Sequence, residues 1–360
     1  MDVVIMGAGL SGLACAITLE RYGVNPTIFE KRSCVGDRFV NAEALFSILD
    51  RPIKNSIQEL AEKHKIDLNP INEVNRLVFH SKNQLGSIDG NIGYTNIRGR
   101  HEDSFERKLA QQVKSEIRYN SNLSYEDIAA KHEAVVLATG DGAYAQKLGN
   151  YRCDLTISLK GATVEGIFGT SMPHVWFNYE ILPKGYAWLI PFSQSEANLV
   201  IAYPDCPETE SPDINEKWNT FYNLAQKTLS QDLKITDQFQ VTQYMAGICH
   251  KPKIDNTYFV GNCFGALSPG LGFGQFNSIL TGIFAAMDIC GLKHYEESVK
   301  PLFENYEHSL TLRRRLEKMD DDDFDLLVKS MDLKVLKAFI SHVFSSESSF
   351  DLLKWLTPFL

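Results

Sequence analysis

The apolar and polar positions at the start of the chain predict a strand, a helix and a second strand. An apolar run over residues 2–6 is typical of a buried parallel strand. Residues 10–22 carry apolar side chains at helical spacing, and Gly23 follows them as a helix end. A second apolar run over residues 26–30 ends on Glu30. This order predicts the first unit of a parallel α/β sheet.

Farther along, the pattern alternates between helical and strand-like segments. Helical spacing predicts helices over residues 44–65, 104–115, 215–229 and 276–289, and a helical tail over residues 296–360. Strands are predicted over residues 133–139 and 258–261, within residues 153–241, and within residues 74–94 with breaks at Gly86, Gly90 and Gly93. A strand-rich stretch therefore separates segments of the α/β type, and we expect one domain to interrupt another.

A glycine-rich turn joins the first predicted strand to the first helix. Gly7-Ala8-Gly9-Leu10-Ser11-Gly12 has the spacing GxGxxG. Gly7 permits a tight turn, Gly9 lets the backbone approach a pyrophosphate, and Gly12 allows close packing of helix on sheet. The first-turn N–H groups of the helix favour phosphate charge, and Glu30 is placed to bind the adenosine ribose. The turn therefore predicts a dinucleotide site that includes Leu10 and Ser11. It does not distinguish FAD from NAD.

A second glycine-rich turn, more than two hundred residues after the first, favours FAD. Val260-Gly261-Asn262 ends a strand, and Ser268-Pro269-Gly270-Leu271-Gly272-Phe273-Gly274 leads into a helix. At this place in a flavoprotein, one side chain holds the ribityl hydroxyls and a helix N-terminus faces the pyrimidine edge of the ring. The predicted cofactor contacts here are Asn262, Gly272, Phe273 and Gly274.

The predicted fold class is α/β, with a Rossmann-type FAD-binding domain, an inserted and mostly antiparallel α+β substrate domain, and a helical C-terminal tail. The predicted FAD-binding domain is discontinuous and comprises residues 1–70, 98–150 and 252–295. The predicted substrate-binding domain comprises residues 71–97 and 151–251, and residues 296–360 form the helical C-terminal region.

Charge and cysteine usage restrict the expected partners and location. The formal net charge of -9 argues against a nucleic-acid partner, because phosphate binding needs a basic surface. Seven cysteines without a CxxC pair favour reduced structural thiols in a cytoplasmic protein. No charged leader precedes the apolar run after Met1, and the most apolar long stretch, residues 279–290, is too short to span a bilayer. We predict a cytoplasmic location and leave peripheral membrane contact open.

Several shorter motifs accompany the two turns. In the run from Glu30 to Gly36, an acid and two basic residues precede a glycine. Asn41-Ala42-Glu43-Ala44 follows about eleven residues after the acid, and Phe105-Glu106-Arg107-Lys108-Leu109-Ala110 starts a predicted helix. Gly140-Asp141-Gly142 follows a buried strand.

The most specific motif is an aromatic segment, Pro183-Lys184-Gly185-Tyr186-Ala187-Trp188-Leu189-Ile190-Pro191. Aromatic residues that alternate along a strand present one face to a cavity. The plain alternative is an aromatic strand in the core. The predicted substrate contacts are Tyr186, Trp188 and Pro191.

With these motifs, residues 1 to about 290 resemble the geranylgeranyl reductase family of FAD-dependent oxidoreductases, a group of hydroxylase-fold flavoproteins. In that family a Cys-Ala-Glu-Gly-like stretch lies beside the flavin, and here asparagine replaces its cysteine; Asn262 likewise replaces an aspartate. An arginine upstream of the Phe105 helix usually approaches the cofactor, and Arg100 or Arg98 could serve, with Arg100 as our candidate although neither has the expected offset. The resemblance implies cofactor contacts by Lys31, Asn41, Ala42, Ala44 and Arg100.

The aromatic segment is similar to the PxxYxWxFP motif that lines the prenyl cavity of these reductases. It also resembles the WxWxIP motif of flavin-dependent halogenases. The resemblance implies reduction of carbon–carbon double bonds in an isoprenoid or other apolar lipid by hydride transfer from reduced FAD. The alternatives are an FAD-dependent monooxygenase or halogenase-like enzyme acting on an apolar or aromatic molecule, and a non-catalytic flavin module.

Other parts of the chemistry stay open at this point. The electron donor could be NADPH or a ferredoxin-like protein, and the sequence does not indicate an oligomeric state. No catalytic acid is predicted, since His174 and His250 are candidates by position only.

Two charged runs near the C-terminus are interpreted as structural. The run from Asp320 to Asp323 is interpreted as a helix cap, so no metal is predicted there, and Arg313 to Arg315 are interpreted as a solvated helix face. The apolar tail after residue 323 could cap a substrate tunnel, bind a partner, touch a membrane or pack back onto the protein.

Overall fold

The computed structural model describes residues 1–50 and 53–331, whose strands form two sheets. The strands are β1 (Val3–Met6), β2 (Thr27–Phe29), β3 (Asn41–Phe46), β4 (Asn72–His80), β5 (Leu85–Arg98), β6 (Ile117–Arg118), β7 (Ala134–Leu137), β8 (Tyr151–Glu165), β9 (His174–Trp176), β10 (Tyr186–Pro191), β11 (Glu196–Pro204), β12 (Lys234–Cys249), β13 (Lys253–Ile254) and β14 (Thr257–Phe259). The α-helices are α1 (Leu10–Arg21), α2 (Ser56–His64), α3 (Phe105–Ala110), α4 (Tyr125–Ala129), α5 (Ala143–Lys147), α6 (Ile214–Leu229), α7 (Gln275–Ile289), α8 (Tyr295–Leu316) and α9 (Asp321–Ser330). Short 3-10 turns occupy Ser47–Asp50, Pro207–Thr209 and Gly261–Cys263.

The first sheet has the strand order β13-β14-β7-β1-β2-β6 and is parallel except for β13. Every residue of β1 and β7 is buried, which explains their continuous apolar runs. Helices α1 and α7 pack closely, because a Cβ atom at Gly282 of α7 would lie 2.0 Å from the carbonyl oxygen of Ser11 in α1. This sheet confirms the predicted Rossmann-type unit.

The second sheet has the strand order β12-β8-β11-β10-β9-β4-β5-β3 and is antiparallel except where β4 meets β9. Helix α6 covers part of it, and Trp218 and Phe221 of that helix share a buried cluster with Trp176 and Leu189 of the sheet. The predicted insertion of a mostly antiparallel α+β unit is therefore confirmed.

The predicted helix over residues 44–65 is wrong at its start. Residues 41–46 form β3, which pairs with β5 at the edge of the second sheet. Ala42 and Ala44 are buried, whereas Asn41 and Glu43 between them are half-buried. This alternation has the period of a strand, and the sequence analysis overlooked it. The helix begins only at α2, where the side chain of Asn55 accepts a hydrogen bond from the backbone N–H of Gln58.

Strand β5 is continuous through the three glycines at which we predicted breaks. Gly90 and Gly93 have φ angles of 149° and 155°, which favour glycine. A Cβ atom at Gly93 would lie 2.0 Å from the carbonyl oxygen of Leu45 in β3. The glycine therefore permits the close approach of β3 to β5 and does not end the strand.

The predicted domain boundaries stay a prediction, since the two sheets do not follow them at every point. Strand β3 falls within the predicted FAD-binding segment of residues 1–70, yet it belongs to the eight-stranded sheet. The other predicted segments place their strands in the sheets as expected: β4 and β5 in the second, and β7 and β14 in the first.

The predicted C-terminal helices are confirmed as far as residue 330 by α8 and α9. The interpretation of the acidic run is also confirmed, because the side chain of Asp320 accepts a hydrogen bond from the N–H of Asp323 and caps α9. The apolar tail beyond residue 331 lies outside the described residues. Throughout residues 1–50 and 53–331, no helix is both long and apolar enough to cross a membrane.

All seven cysteines are free thiols, as their spacing predicted. Cys15 and Cys249 are fully buried in the core of the first sheet. Burial raises the pKa of both thiols far above the usual range, so both are neutral and inert at physiological pH.

Candidate functional site

The first glycine-rich turn forms a cradle that is closed on two sides and open on the third. A Cβ atom at Gly7, which has a φ of +109°, would lie 2.2 Å from the carbonyl oxygen of Ala138. A Cβ atom at Gly12 would lie 2.0 Å from the carbonyl oxygen of Gly7. At Gly9 an added Cβ atom would meet nothing within 4 Å. The open side at Gly9 is where a pyrophosphate could approach the backbone.

The start of α1 offers donors and an acceptor to such a group. The helix begins after Gly9 without a side-chain cap, and Leu10, Ser11 and Gly12 form its buried first turn. Uncapped N–H groups at a helix start attract phosphate. Glu30 lies beside this turn, because its carboxylate accepts hydrogen bonds from the N–H groups of Ala8 at 2.8 Å and Arg32 at 2.9 Å. The remaining lone pairs of this carboxylate could accept ribose hydroxyls. The neighbouring Lys31 is exposed.

The late segment of the chain meets this turn in space. A Cβ atom at Gly261 would lie 2.6 Å from the Oγ atom of Ser11, and α7 packs on α1 directly after the Gly272–Gly274 turn. Helix α7 begins at Gln275, and no side chain caps it. Gln275 is only 3% exposed, and its amide nitrogen and oxygen have no hydrogen-bond partner among the described residues. Buried amide atoms without partners are costly, so the start of α7 fits a ligand with hydrogen-bonding edges.

A cavity of about 240 Å³ lies beside the late loop. Its walls come from β3, β8, β10 and the loop before α7. The predicted site residues that line it are Asn41, Ala42, Ala44, Tyr186, Trp188, Asn262, Gly272 and Phe273. Aliphatic side chains complete the wall, among them Leu155, Ile157, Leu159 and Val241.

Two buried polar atoms in this wall have no hydrogen-bond partner in residues 1–50 and 53–331. They are the Nε1 atom of Trp188 and the Oδ1 atom of Asn41. Native proteins pair nearly all such atoms, so these two fit a bound molecule that supplies an acceptor and a donor. With the open cradle at Gly9 and the uncapped start of α7, they form a site that fits a flavin dinucleotide.

A buried ionic network lies at one side of the cavity. Arg98 contacts Glu106 at 2.8 Å and Glu43 at 3.1 Å, and all three residues line the cavity. Burial alone would lower the pKa of Arg98, but the carboxylates of Glu106 and Glu43 outweigh it and raise that pKa further above its usual range. The network therefore carries two negative charges and one positive charge when all three groups are ionised. Glu43 and Glu106 were not singled out as site residues from the sequence.

Arg100, the arginine that we predicted to contact the cofactor, lies away from the cavity lining. Arg100 pairs with Asp237 at 2.5 Å, its side chain is 48% exposed, and it is not among the residues that line the cavity. Its proposed contact with the cofactor stays a prediction, and of the two arginines considered from the sequence, Arg98 is the one that lines the cavity. Pro191 lies at the end of β10 and is also outside the lining.

Two half-buried tyrosines hold the backbone around the cavity. The hydroxyl of Tyr186 donates to the carbonyl oxygen of Leu271 at 2.5 Å, and that of Tyr244 donates to Gly140 at 2.8 Å. Asn262 donates to Gly140 at 3.1 Å and to the hydroxyl of Tyr244 at 2.5 Å. Burial raises the pKa of both tyrosines to about 12, so they remain protonated donors at neutral pH.

The two candidate histidines differ in their surroundings. His174 lines the cavity, lies 2.9 Å from His80 (Nδ1 to Nε2) and stacks with it and with Trp176. Burial lowers the pKa of His80 and of His174 to about 4, so both are neutral at pH 7. His250 is exposed. His174 therefore does not have the properties of a general acid poised near neutral pH.

The interpretation of Arg313 to Arg315 as a solvated face is wrong for the first of them. Arg313 is 6% exposed and lines the cavity beside Tyr186, whereas Arg314 and Arg315 are exposed. The missed signal is helical spacing, because Tyr306, Leu310 and Arg313 share one buried face of α8.

The sequence of the first half matches a known flavoprotein family. Residues 1–159 match the pyridine nucleotide-disulphide oxidoreductase family. Flavin-containing amine oxidase B from Canis lupus familiaris is 35% identical over 88 residues, which are 22% of this chain and 17% of that enzyme. Digeranylgeranylglycerophospholipid reductase from Methanocaldococcus jannaschii is 27% identical over 208 residues, which are 53% of this chain and 51% of that enzyme. The matched parts thus span about half or less of these relatives.

Solved structures share the fold over the whole chain. A geranylgeranyl bacteriochlorophyll reductase-like protein from Thermoplasma acidophilum superimposes with a TM-score of 0.74 and 15% identity, covering 100% of this chain and 99% of that one. A flavin-dependent brominase superimposes with a TM-score of 0.66 and 16% identity, covering 99% and 96%. Together with the sequence matches, these structures support an FAD-dependent oxidoreductase fold and cofactor.

Proposed function

We propose that this FAD-dependent oxidoreductase reduces carbon–carbon double bonds in an isoprenoid or another apolar lipid. Support comes from the partial match to a reductase of digeranylgeranyl phospholipids and from the shape of the cavity. An alkene offers no charge and almost no hydrogen-bonding group, so a protein selects it by an apolar surface beside the reacting cofactor.

The observation that carries this proposal is the composition of the cavity wall. Its lining includes the predicted flavin-contacting residues Asn41, Ala42, Gly272 and Phe273. It also includes aliphatic residues from β8 and β12 and the aromatic residues of β10. A single cavity therefore joins the predicted cofactor contacts to an apolar surface.

The bound FAD would supply the hydride. The chain itself would bind FAD, orient the lipid and exclude water from the cavity. Tyr186 fixes the backbone of Leu271 in the late loop, and Trp188 packs with Ala42, Ala44 and Phe273 at the predicted flavin side. In this proposal the apolar wall holds the alkene against that side. The electron donor, either NADPH or a ferredoxin-like protein, would act before the lipid.

A second candidate function is oxygen-dependent. The brominase covers the whole chain with the same fold, and the aromatic segment of β10 resembles a halogenase motif. Such an enzyme would consume oxygen and modify an aromatic or apolar molecule. The fold is shared by both candidates and does not separate them.

The test is a pair of anaerobic half-reactions. The FAD-loaded protein is reduced without oxygen and then mixed either with a C20 prenyl lipid or with oxygen, while the flavin absorbance is followed. We expect the lipid to reoxidise the flavin and to gain two hydrogen atoms at a double bond, as measured by mass spectrometry. Reoxidation by oxygen alone, with an oxygenated or halogenated product and no response to the lipid, would establish the second candidate instead.

A further inference from the structure

One amide in the cavity wall lies at the end of a chain of polar contacts. The buried side chain of Glu106 contacts Arg98 at 2.8 Å. The Nη1 atom of Arg98 donates to the Oε2 atom of Glu43 at 3.1 Å, and the Oε1 atom of Glu43 accepts from the Nδ2 atom of Asn41 at 3.3 Å. All four residues line the cavity. The contacts thus connect a buried carboxylate to the amide of Asn41 on β3.

The carboxylate of Glu43 determines the orientation of this amide. A carboxylate offers acceptors only, whereas an amide has donors on its nitrogen and an acceptor on its oxygen. The reversed amide would place its oxygen against an oxygen of Glu43 with no proton between them. The Oδ1 atom of Asn41 is therefore the atom left for another partner. It is buried, and no residue among 1–50 and 53–331 donates a hydrogen bond to it.

A buried acceptor without a donor selects among ligands by their N–H and O–H groups. An aliphatic chain has no such group, so the apolar part of a lipid leaves this oxygen without a partner. The edges of an oxidised isoalloxazine ring present mainly acceptors, and reduction adds N–H groups where bare ring nitrogens stood. Because Asn41 lines the cavity, its fixed oxygen has the chemistry to distinguish the two oxidation states of a flavin bound there.

We propose that Asn41 makes this protein bind reduced FAD more tightly than oxidised FAD and so raises the midpoint potential of the cofactor. The Oδ1 atom of Asn41 accepts an N–H of the reduced ring, and Glu43 is the positioning residue that keeps this oxygen available. Hydrogen bonds to ring nitrogens are among the means by which a protein tunes a cofactor. This inference goes beyond the proposed function, because it concerns the cofactor before any lipid binds.

The experiment measures the midpoint potential of the FAD-loaded protein against a reference dye, without lipid, and the Kd of oxidised FAD by fluorescence quenching. The two values together give the Kd of reduced FAD. Asn41→Leu removes the acceptor at a similar side-chain volume. We expect it to weaken the binding of reduced FAD about 10-fold more than that of oxidised FAD, which makes the potential about 30 mV more negative. An unchanged potential in Asn41→Leu would overturn the proposal.

The matched control is Asn72→Leu. Asn72 is also half-buried in the eight-stranded sheet, but its amide donates to the carbonyl oxygen of Pro191 and it is not among the residues that line the cavity. This variant should keep the wild-type potential. The same negative shift in Asn72→Leu would assign the effect to a disturbance of the sheet and contradict the proposal.

A second variant keeps the proposal testable if Asn41→Leu takes up no FAD. Asn41→Cys is smaller and offers only a weak acceptor, so its potential should again be more negative than that of the wild type. The wild-type potential in Asn41→Cys would contradict the proposal. No arm of the experiment uses a lipid, so its outcome is independent of the proposed substrate.

A double-mutant cycle isolates the positioning role of Glu43. Glu43→Gln removes a negative charge, which by itself raises the potential both in the wild type and in Asn41→Leu. In the wild type it also frees the amide of Asn41 to reverse, since a glutamine offers a donor as well as an acceptor. We therefore expect a smaller positive shift in the wild type than in Asn41→Leu. Equal shifts in the two backgrounds would contradict the positioning role of Glu43.

Discussion

The glycine turn before α1 and the wall of the cavity are built in opposite ways. The turn consists of six consecutive residues, and its shape depends on the absence of side chains at Gly7 and Gly12. The cavity wall depends on side chains that come from β3, β5, β8, β10 and α8, which are far apart along the chain. A site made of local backbone is visible in the sequence. A site made of converging side chains becomes visible only when the sheets are assembled.

The energetic consequences also differ between these two regions. In the turn, a Cβ atom added at Gly7 or Gly12 collides with backbone that has little freedom to move. In the wall, the cost lies in buried polar atoms, such as Nε1 of Trp188, that lack a partner without a ligand. Substitutions at Gly7 and Gly12 should therefore affect folding and cofactor binding together, whereas substitutions in the wall should separate the two.

The largest effect is expected at Gly12. Gly12→Ala would place a Cβ atom 2.0 Å from the carbonyl oxygen of Gly7, so the backbone must shift. We expect a loss of about 3 kcal/mol in the free energy of unfolding, measured with urea in the absence of FAD. The matched variant Gly9→Ala adds its methyl group to open space, and should keep stability within about 0.5 kcal/mol while weakening FAD binding at least ~10-fold. Wild-type stability in Gly12→Ala would show that the turn is more adaptable than its geometry implies.

A smaller effect is expected from the ionic network in the wall. Arg98→Met leaves the buried carboxylate of Glu106 and the half-buried carboxylate of Glu43 without their cation. Breaking a buried pair costs about 3–5 kcal/mol, and the partial exposure of Arg98 reduces our expectation to about 2 kcal/mol. Arg100→Met, in an exposed pair with Asp237, should cost less than about 1 kcal/mol. Urea unfolding of both variants at neutral pH measures the difference, and equal losses would remove the distinction between the two arginines.

Tyr186 connects strand β10 to the loop before α7 within the cavity wall, because its hydroxyl donates to the carbonyl oxygen of Leu271. Tyr186→Phe removes this bond and should lower the free energy of unfolding by about 1 kcal/mol. The same change should weaken FAD binding by a small factor, since the loop before α7 is less fixed. Tyr119→Phe, at a side chain that is 39% exposed, is the control and should change neither quantity. Unchanged FAD affinity in Tyr186→Phe would mean that the loop is held by other contacts.

The effect that is smallest at neutral pH, and that grows only as the pH falls, is a dependence of stability on pH that originates in His80 and His174. Burial lowers the pKa of both to about 4, while in the unfolded chain each has an ordinary pKa near 6.5. The unfolded state therefore takes up protons first, and the stability contributed by the neutral pair is lost as the pH falls from about 6.5 to about 4. His80→Phe, which keeps an aromatic ring beside Trp176, should show a shallower decline in unfolding free energy over this range. The same slope in wild type and variant would contradict a neutral histidine pair.

The parts of the fold that the sequence predicted are those with a local pattern. Strand β1, helix α1 and strand β2 follow from apolar runs and a glycine turn, and the capped start of α9 follows from Asp320. Strand β3 was missed because its alternation is only six residues long and continues into residues with helical spacing. The breaks predicted in β5 were wrong because a glycine in a strand also serves the close approach of a neighbouring strand.

The residues of the site divide in the same way: those in local motifs were predicted, and those buried by partners on other elements were missed. Asn262, Tyr186 and Trp188 lie in motifs and were found, and the structure brings them to one cavity. Glu106 and Arg313 were missed as site residues because charged side chains on helices are usually solvated. Their burial depends on partners on other elements, Arg98 on β5 for Glu106 and Lys184 before β10 for Arg313, and no local pattern indicates such partners.

The most direct test of this account is a titration of the FAD-free protein with FAD, followed by quenching of flavin fluorescence. The account predicts saturation at about one FAD per chain, with the affinity sharply reduced in Gly9→Ala and unchanged in Arg314→Gln. A folded protein that remains colourless and takes up no FAD would contradict the central claim that the cradle at Gly9 and the loop before α7 hold one flavin dinucleotide.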